Sequence, residues 1–414
     1  MKHAPRHAAT HLHRAGHLTH LTHLIIPPAL LRQVQRGGPL ESPWVAAGLG
    51  VLLTASVLLV VVRHRRRARS TGPGVRASPA SRPRRPWQAR AAMTAWLTAL
   101  SILTVLTGLN AYVGYVPTLP AVLGDVPMSG GAGSQVWRLT IGAPALDIPP
   151  SPTYVYLPPG YDDPANATRR YPVVYLLHGY PGGPLDWFRA AMVQQVMDAM
   201  LADHLVQPMI VVAPDASGGW LHDSEMLNQV GGPQVETYLT STVIQAVDAR
   251  YRTVADRDGR AIGGMSSGGY GALNLGLHHQ NLYSVILSEM PYGDPGRDAL
   301  RLLGGNRALW AANAPDHYLP TMTFHHQMAV DLLSGPFDSQ RGEAARLAKV
   351  LRGRGQPATY TQVLGAGHTW RGARRELPYA LTFASQHLRG EPPHRIPLAA
   401  VSQPMPASAS RPRR

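Results

Sequence analysis

The run Gly264-Met265-Ser266-Ser267-Gly268 carries the pattern G-x-S-x-G. A serine in that pattern can attack a carbonyl, because the turn exposes its hydroxyl and small neighbours let strand and helix come close. Ser267 is the poorer nucleophile, since Met265 stands where its own pattern would need glycine. A serine hydroxyl is weak at neutral pH and needs a base, and the base needs an orienting group. His368, in Leu364-Gly-Ala-Gly-His368-Thr-Trp370, lies in a glycine-flanked turn directly after an apparent strand and is the candidate base. The acid candidates are Asp331, Asp338 and Glu343. Asp331 falls within an apparent strand, and Glu343 opens a helix where a carboxylate complements the dipole. Asp338 sits in the turn Ser334-Gly-Pro-Phe-Asp338 and is the preferred acid.

A tetrahedral intermediate needs backbone donors aimed at its oxyanion. The residue after the nucleophile, Ser267, supplies one. The loop His178-Gly-Tyr-Pro-Gly-Gly183 supplies the other from Tyr180. Asp215 also ends a strand. Trp187, Trp220, Tyr270 and Trp370 could line an acyl pocket or serve as packing.

These residues need a sheet to converge on. Tyr171–Leu177 and Pro208–Ala213 are nearly all apolar, and further strands are expected within 137–141, 153–157, 283–288, 324–333 and 358–364. Helices are expected over 235–251, 343–353 and 377–388. Apolar strands alternating with helices imply an α/β domain with a mostly parallel sheet covered on both faces.

The chain of 414 residues has no cysteine, which excludes disulfides and thiolate sites. Its net charge is +15, but residues 134–390 hold 20 basic and 21 acidic residues. The excess lies on the flanking arms, so a nucleic-acid role has little support. Residues 44–62 are uncharged and long enough to cross a bilayer. A second uncharged stretch covers 91–116, with its span expected over about 91–113. Between them, residues 63–90 carry ten arginines and no acid. The positive-inside rule makes this a hairpin with a cytoplasmic loop and an extracytoplasmic catalytic domain. A cleaved signal peptide fits badly, because the first apolar run starts late and a second follows. The expected organisation is a His-rich tail (1–43), the hairpin (44–116), a linker (117–133), the catalytic domain (134–390) and a disordered tail (391–414). The N-terminal histidines have no acidic or cysteine partner and are read as a tail rather than a metal site.

Tyr171-Pro-Val-Val-Tyr-Leu-Leu-His-Gly179, Asp186-Trp187, Gly264-Met-Ser-Ser-Gly-Gly269 and Gly367-His-Thr-Trp370 together resemble the esterase D / mycolyltransferase branch of the α/β-hydrolases. The likeness spans roughly residues 135–390, and the two preceding spans resemble membrane-anchored actinobacterial members. It implies a serine hydrolase or acyltransferase without a cofactor, and Ser266, Asp338 and His368 as its triad. The second elbow serine departs from the methionine usual in the family, at a position that contributes only a backbone N–H. The expected activity is ester hydrolysis. Acyl transfer to an envelope sugar or lipid and hydrolysis of an aminoacylated phospholipid are the enzymatic alternatives. A binding module on an inactive hydrolase fold is the non-enzymatic one.

Overall fold

The structure, a computed structural model, describes residues 26–70, 86–123, 133–219 and 222–390. The histidines up to His23, the centre of the arginine-rich loop, Trp220 and the tail from 391 lie outside them. Among the described residues, eight strands form one sheet. They are β1 (Gln135–Ala143), β2 (Ile148–Leu157), β3 (Val173–Leu177), β4 (Ile210–Pro214), β5 (Arg260–Met265), β6 (Val285–Glu289), β7 (Ala329–Ser334) and β8 (Ala358–Gln362). Their order is β1-β2-β4-β3-β5-β6-β7-β8. β1 and β2 are antiparallel to their neighbours, and every other pairing is parallel.

Strands β3 to β7 are buried along their whole length. That is why they read as unbroken apolar runs rather than as alternation. One face packs Val173, Ile262 and Val330 against Tyr238, Leu273 and Leu347. The other packs Val174, Leu176 and Leu287 against Trp187, Met197 and Leu377.

Five helices matter for the site: α1 (Pro28–Val34), α2 (Pro43–Ser70), α3 (Pro86–Val113), α4 (Ser267–His278) and α5 (Trp370–His387). Helix α5 starts seven residues before the expected Leu377. Its cap is the Thr369 side chain, which accepts from the Gly372 N–H at 3.1 Å. Gly372 and Pro378 hid this start in the sequence, since both are poor residues for a helix interior. The helix expected over 235–251 contains a π-helical turn, Tyr238–Val243.

The segment before α2 also differs from the expected tail. Ile26, Leu30 and Val34 are buried in the same core as Met197 and Leu381, so α1 is docked on the domain. Helices α2 and α3 contain apolar stretches of membrane-spanning length, Pro43–Arg66 and Trp87–Val113. Their most apolar windows are 0% and 6% buried, so the fold itself does not cover them. The second begins before the expected residue 91, and Gly114 to Val116 lie beyond its end.

One guanidinium fixes this hairpin to the domain. Arg374, on α5, forms a fork to Glu41 at 2.7 and 2.8 Å. It also donates to Gly114 O at 3.1 Å and to Ala190 O at 2.6 Å. Glu41 precedes α2 and Gly114 follows α3, so both exits of the hairpin meet one side chain. Both charged groups are 1% exposed. A buried pair is weak evidence of net stability, but breaking it strands a charge.

A cluster of buried carboxyl groups lies in the core under the sheet's C-terminal edge. Glu289, Asp331 and Glu376 are all at most 1% exposed. Burial pushes Glu376 well above the ordinary carboxyl value, and Glu289, Asp338 and Asp331 add to that. Burial and Asp331 do the same to Glu289, and burial lifts Asp331 to about 7. Neither Glu376 oxygen has a hydrogen-bond partner. The folded chain therefore keeps protons that the unfolded chain releases near the ordinary value of 4.5. Stability then falls as pH rises from that value through the raised one.

Two outcomes follow. Glu41→Ala should lower the unfolding free energy by about 3–5 kcal/mol, measured by melting the detergent-solubilised full chain. An unchanged melting temperature would remove the anchoring role. Glu376→Gln should match the parent near pH 4.5 and exceed it in stability at pH 9. Parallel denaturation profiles across that range would show that Glu376 holds no extra proton.

Candidate active site

Ser266 stands between β5 and α4 with φ 87° and ψ −111°. This is backbone that non-glycine residues rarely adopt, and such strain persists only where its surroundings enforce it. The Ser266 N–H donates to Glu289 O at 3.0 Å, and its carbonyl accepts from Tyr270 N–H at 2.8 Å. Close packing holds the elbow shut. A Cβ on Gly268 would sit 2.2 Å from Leu177 O, so α4 crosses β3 only because that residue is glycine.

His368 arrives on the turn between β8 and α5. Its Nε2 lies 2.7 Å from Ser266 Oγ. Its Nδ1 lies 3.2 Å from Asp338 Oδ1. With the proton on Nδ1, the ring donates to Asp338 and accepts from the serine hydroxyl, the tautomer a general base needs. Asp338 is fully buried behind the ring and also accepts from Gln340 N–H at 2.8 Å. Gly335 permits the approach, because a Cβ there would lie 2.0 Å from Ala366 O in the histidine loop. Asp331 is instead inside β7 and accepts from Thr361 Oγ1 at 2.7 Å. Glu343 is in the first turn of the helix Arg341–Gly353 and binds Arg346 at 2.6 Å. Among the described residues, the imidazole Nδ1 bonds Asp338 and neither of these two.

The loop after β3 closes over the elbow. Tyr180 lines the cleft with Ser266, while Ser267 lies beneath it, 5% exposed. Ser267 opens α4, where first-turn N–H groups lack an intrahelical acceptor. His178, which the sequence reading used only as part of a motif, fixes this loop from below. Its Nε2 accepts from Ala216 N–H at 3.0 Å, which leaves the proton on Nδ1 to bond Gly179 O at 3.0 Å. Carbonyl and N–H of one planar peptide point in opposite directions, so holding Gly179 O also sets the direction of Tyr180 N–H. Asp186 ties the far side of the loop, accepting from Gly183 N–H at 2.9 Å and Arg189 at 2.6 Å.

The resulting cleft has a volume of about 540 Å³. Trp370 lines it. Trp187 does not, being fully buried edge-on against Trp370. Tyr270 is also buried, stacked on Tyr292 and donating to Asn313 O at 2.6 Å. Two lining residues were not anticipated: Val113, the last residue of α3, and Tyr115. Arg189 covers the Tyr115 ring at 4.4 Å, joining the hairpin exit to the loop that Asp186 holds. No local signal in the sequence places residue 115 beside residue 266. Among the described residues, no group of histidine and acidic side chains is arranged to hold a metal.

Comparison with known proteins supports an esterase. Residues 150–383 match the putative esterase family. Esterase Rv1288 of Mycobacterium tuberculosis is 35% identical over 127 residues, which is 31% of this chain and 26% of that protein. An uncharacterized protein of Corynebacterium glutamicum is 29% identical over 171 residues, 40% of this chain and 39% of its own length. The chain thus aligns with well under half of either relative. Among solved structures, a ferulic acid esterase superposes with a TM-score of 0.54 at 24% identity, covering 62% of this chain and 99% of its own. An S-formylglutathione hydrolase from Agrobacterium tumefaciens gives 0.51 at 18% identity, covering 64% and 98%. These likenesses establish an α/β-hydrolase fold. With more than half of its length matched by one family, the chain belongs to the putative esterases.

Proposed function

We propose that the protein is a membrane-anchored serine esterase acting through Ser266, His368 and Asp338. The observation that carries this is the pair of contacts on one imidazole, 2.7 Å to the serine hydroxyl and 3.2 Å to the buried aspartate. Ser266 Oγ attacks the ester carbonyl while His368 Nε2 takes its proton. The oxyanion that forms is held by the N–H groups of Tyr180 and Ser267, a pair in which each donor is worth ~10²–10³ in rate. The C–O bond breaks, and the imidazolium returns its proton to the departing alcohol. Water, deprotonated by His368, then attacks the acyl-serine, and the imidazolium returns that proton to Ser266 Oγ as the acid leaves. Asp338 holds the ring tautomer throughout and stabilises the imidazolium.

The anchor is α2 and α3. Their length, apolar surface and flanking arginines support two spans with the loop in the cytoplasm and the catalytic domain outside. Val113 and Tyr115 in the cleft wall put its mouth beside the end of the second span. An ester presented at the membrane surface would meet the serine without crossing the domain. Two relatives carry the names feruloyl esterase and acetyl esterase. The position of this cleft favours an amphiphilic ester instead.

Ser266→Ala should abolish turnover of p-nitrophenyl butyrate, by up to ~10⁶-fold if the three groups act as a unit, and should end labelling by a fluorophosphonate probe. Residual turnover near the parent level would refute Ser266 as nucleophile. The absence of cysteine gives a clean test of topology. Lys349 is exposed on the catalytic domain, and Ser78 lies in the arginine-rich segment. In intact cells a membrane-impermeant maleimide should label Lys349→Cys and spare Ser78→Cys until lysis. The reverse pattern would place the catalytic domain in the cytoplasm.

A further inference from the structure

A second pocket, of about 420 Å³, opens next to the catalytic cleft. The two are separated by the contact of Gly114 with Arg371, where a Cβ on the glycine would lie 2.7 Å from the arginine Cβ. Arg32 and Arg36 reach the second pocket from the α1 side, and Arg371 and Arg375 reach it from α5. The one carboxylate in its wall, Glu41, has both oxygens engaged by Arg374. Its edge comes no nearer than 4.0 Å to Arg371. Among the described residues, Arg32, Arg36 and Arg375 form no ion pair.

The positive charge here is therefore uncompensated, and three features show it. Arg375 Nε is buried without a hydrogen-bond partner. Burial, with Arg371 and Arg374 beside it, presses the Arg375 pKa down. Arg371, Arg374 and Arg375 crowd the start of α5, whose first turn has no acidic residue. Cations are disfavoured at that end of a helix. An anion with several acceptor oxygens would relieve all three, and the planar guanidinium fork matches phosphate well.

The depth of the pocket identifies the source of the phosphate. Ser42 and Pro43 are in its wall, and Pro43 begins the apolar stretch Pro43–Arg66. With that stretch crossing the bilayer, the pocket lies where hydrocarbon gives way to headgroups. We propose that the Arg32, Arg36, Arg371 and Arg375 pocket binds the phosphate of an anionic phospholipid in the leaflet facing the catalytic domain. The assignment rests on the membrane reading above. It sets a lipid headgroup beside the cleft that holds Ser266, with Gly114 between them.

The test uses the full chain as its Ser266→Ala variant in nonionic detergent, so that no probe is consumed. It is titrated calorimetrically with dioctanoyl-phosphatidylglycerol, dioctanoyl-phosphatidylcholine and inorganic phosphate. The phosphatidylglycerol should bind at least about tenfold more tightly than either other probe, the scale of one or two charge-assisted hydrogen bonds. Arg36→Gln with Arg375→Gln should remove that preference, whereas Arg36→Lys should keep most of it. Arg32→Gln, at an exposed position of α1, should weaken binding in the same direction and serves if the double variant does not fold. Equal binding of the two lipids overturns the proposal, as does an unchanged preference in the double variant or in Arg32→Gln. Binding of inorganic phosphate alone overturns the lipid assignment. Failure of the esterase reading shows elsewhere, as wild-type protein that no fluorophosphonate labels. Failure of the membrane reading shows as protein released without detergent.

Discussion

The Arg374 guanidinium is the constraint on which the arrangement of this chain depends. It bonds the residue that leads into α2, the residue that follows α3, and the carbonyl of Ala190 in the domain. A charge so deeply buried is tolerable only with its partners in place. The hairpin, the domain and the start of α5 are therefore held as one body at this point. Four residues upstream in α5 is Trp370, and two before that is His368. The same helix that anchors the hairpin thus carries the turn that delivers the imidazole.

Around the serine, the geometry is a chain of close approaches. Glycine at 268 lets α4 cross the carbonyl of Leu177, and this puts the elbow under the loop that begins at His178. His178 then fixes the peptide between residues 179 and 180 from a buried position. Asp186 fixes the other end of that loop, and through Arg189 it reaches Tyr115. His178 and Asp186 are both buried and hydrogen-bonded, the condition under which such networks add rigidity. Preorganised donors stabilise an oxyanion because they need not reorient as charge develops.

The sheet was legible in the sequence because its central strands are buried on both faces, and burial leaves unbroken runs such as Val173–Leu177 and Ile210–Pro214. The meeting of Ser266, Asp338 and His368 was legible because each stands in a turn after a strand, where a parallel sheet collects its loops. The docking of α1 was not. Its buried residues Leu30 and Val34, with Ile26 just before it, look the same in an amphipathic turn that packs on a distant helix as in one that packs on nothing. The early start of α5 was hidden by Gly372 and Pro378, whose cost is outweighed by the Thr369 cap and by packing of Ala373 and Leu377. The place of Tyr115 in the cleft arises from a contact with Arg189, remote in sequence, which no local pattern encodes. His178 needed Ala216 N–H to reveal its tautomer, and that partner is also remote.

The way the hairpin is attached bears on what the cleft can reach. A domain on a flexible tether samples many heights and orientations, and its encounter with a surface-bound ester is governed by an effective concentration that falls with tether length. Here the chain leaves α3 at Val113 and lines the cleft with Tyr115 two residues later. On the other side, Leu30 and Val34 are packed on the domain and Glu41 is hydrogen-bonded to it. There is no slack between span and site. With α2 and α3 read as spans, the serine keeps one distance and one attitude to the bilayer surface. Orientation of that kind is worth more in rate than proximity alone, because a reacting carbonyl must arrive both near and aligned. The cost is reach: an ester free in solution gains nothing from the geometry, and one buried deep in the hydrocarbon remains below the mouth.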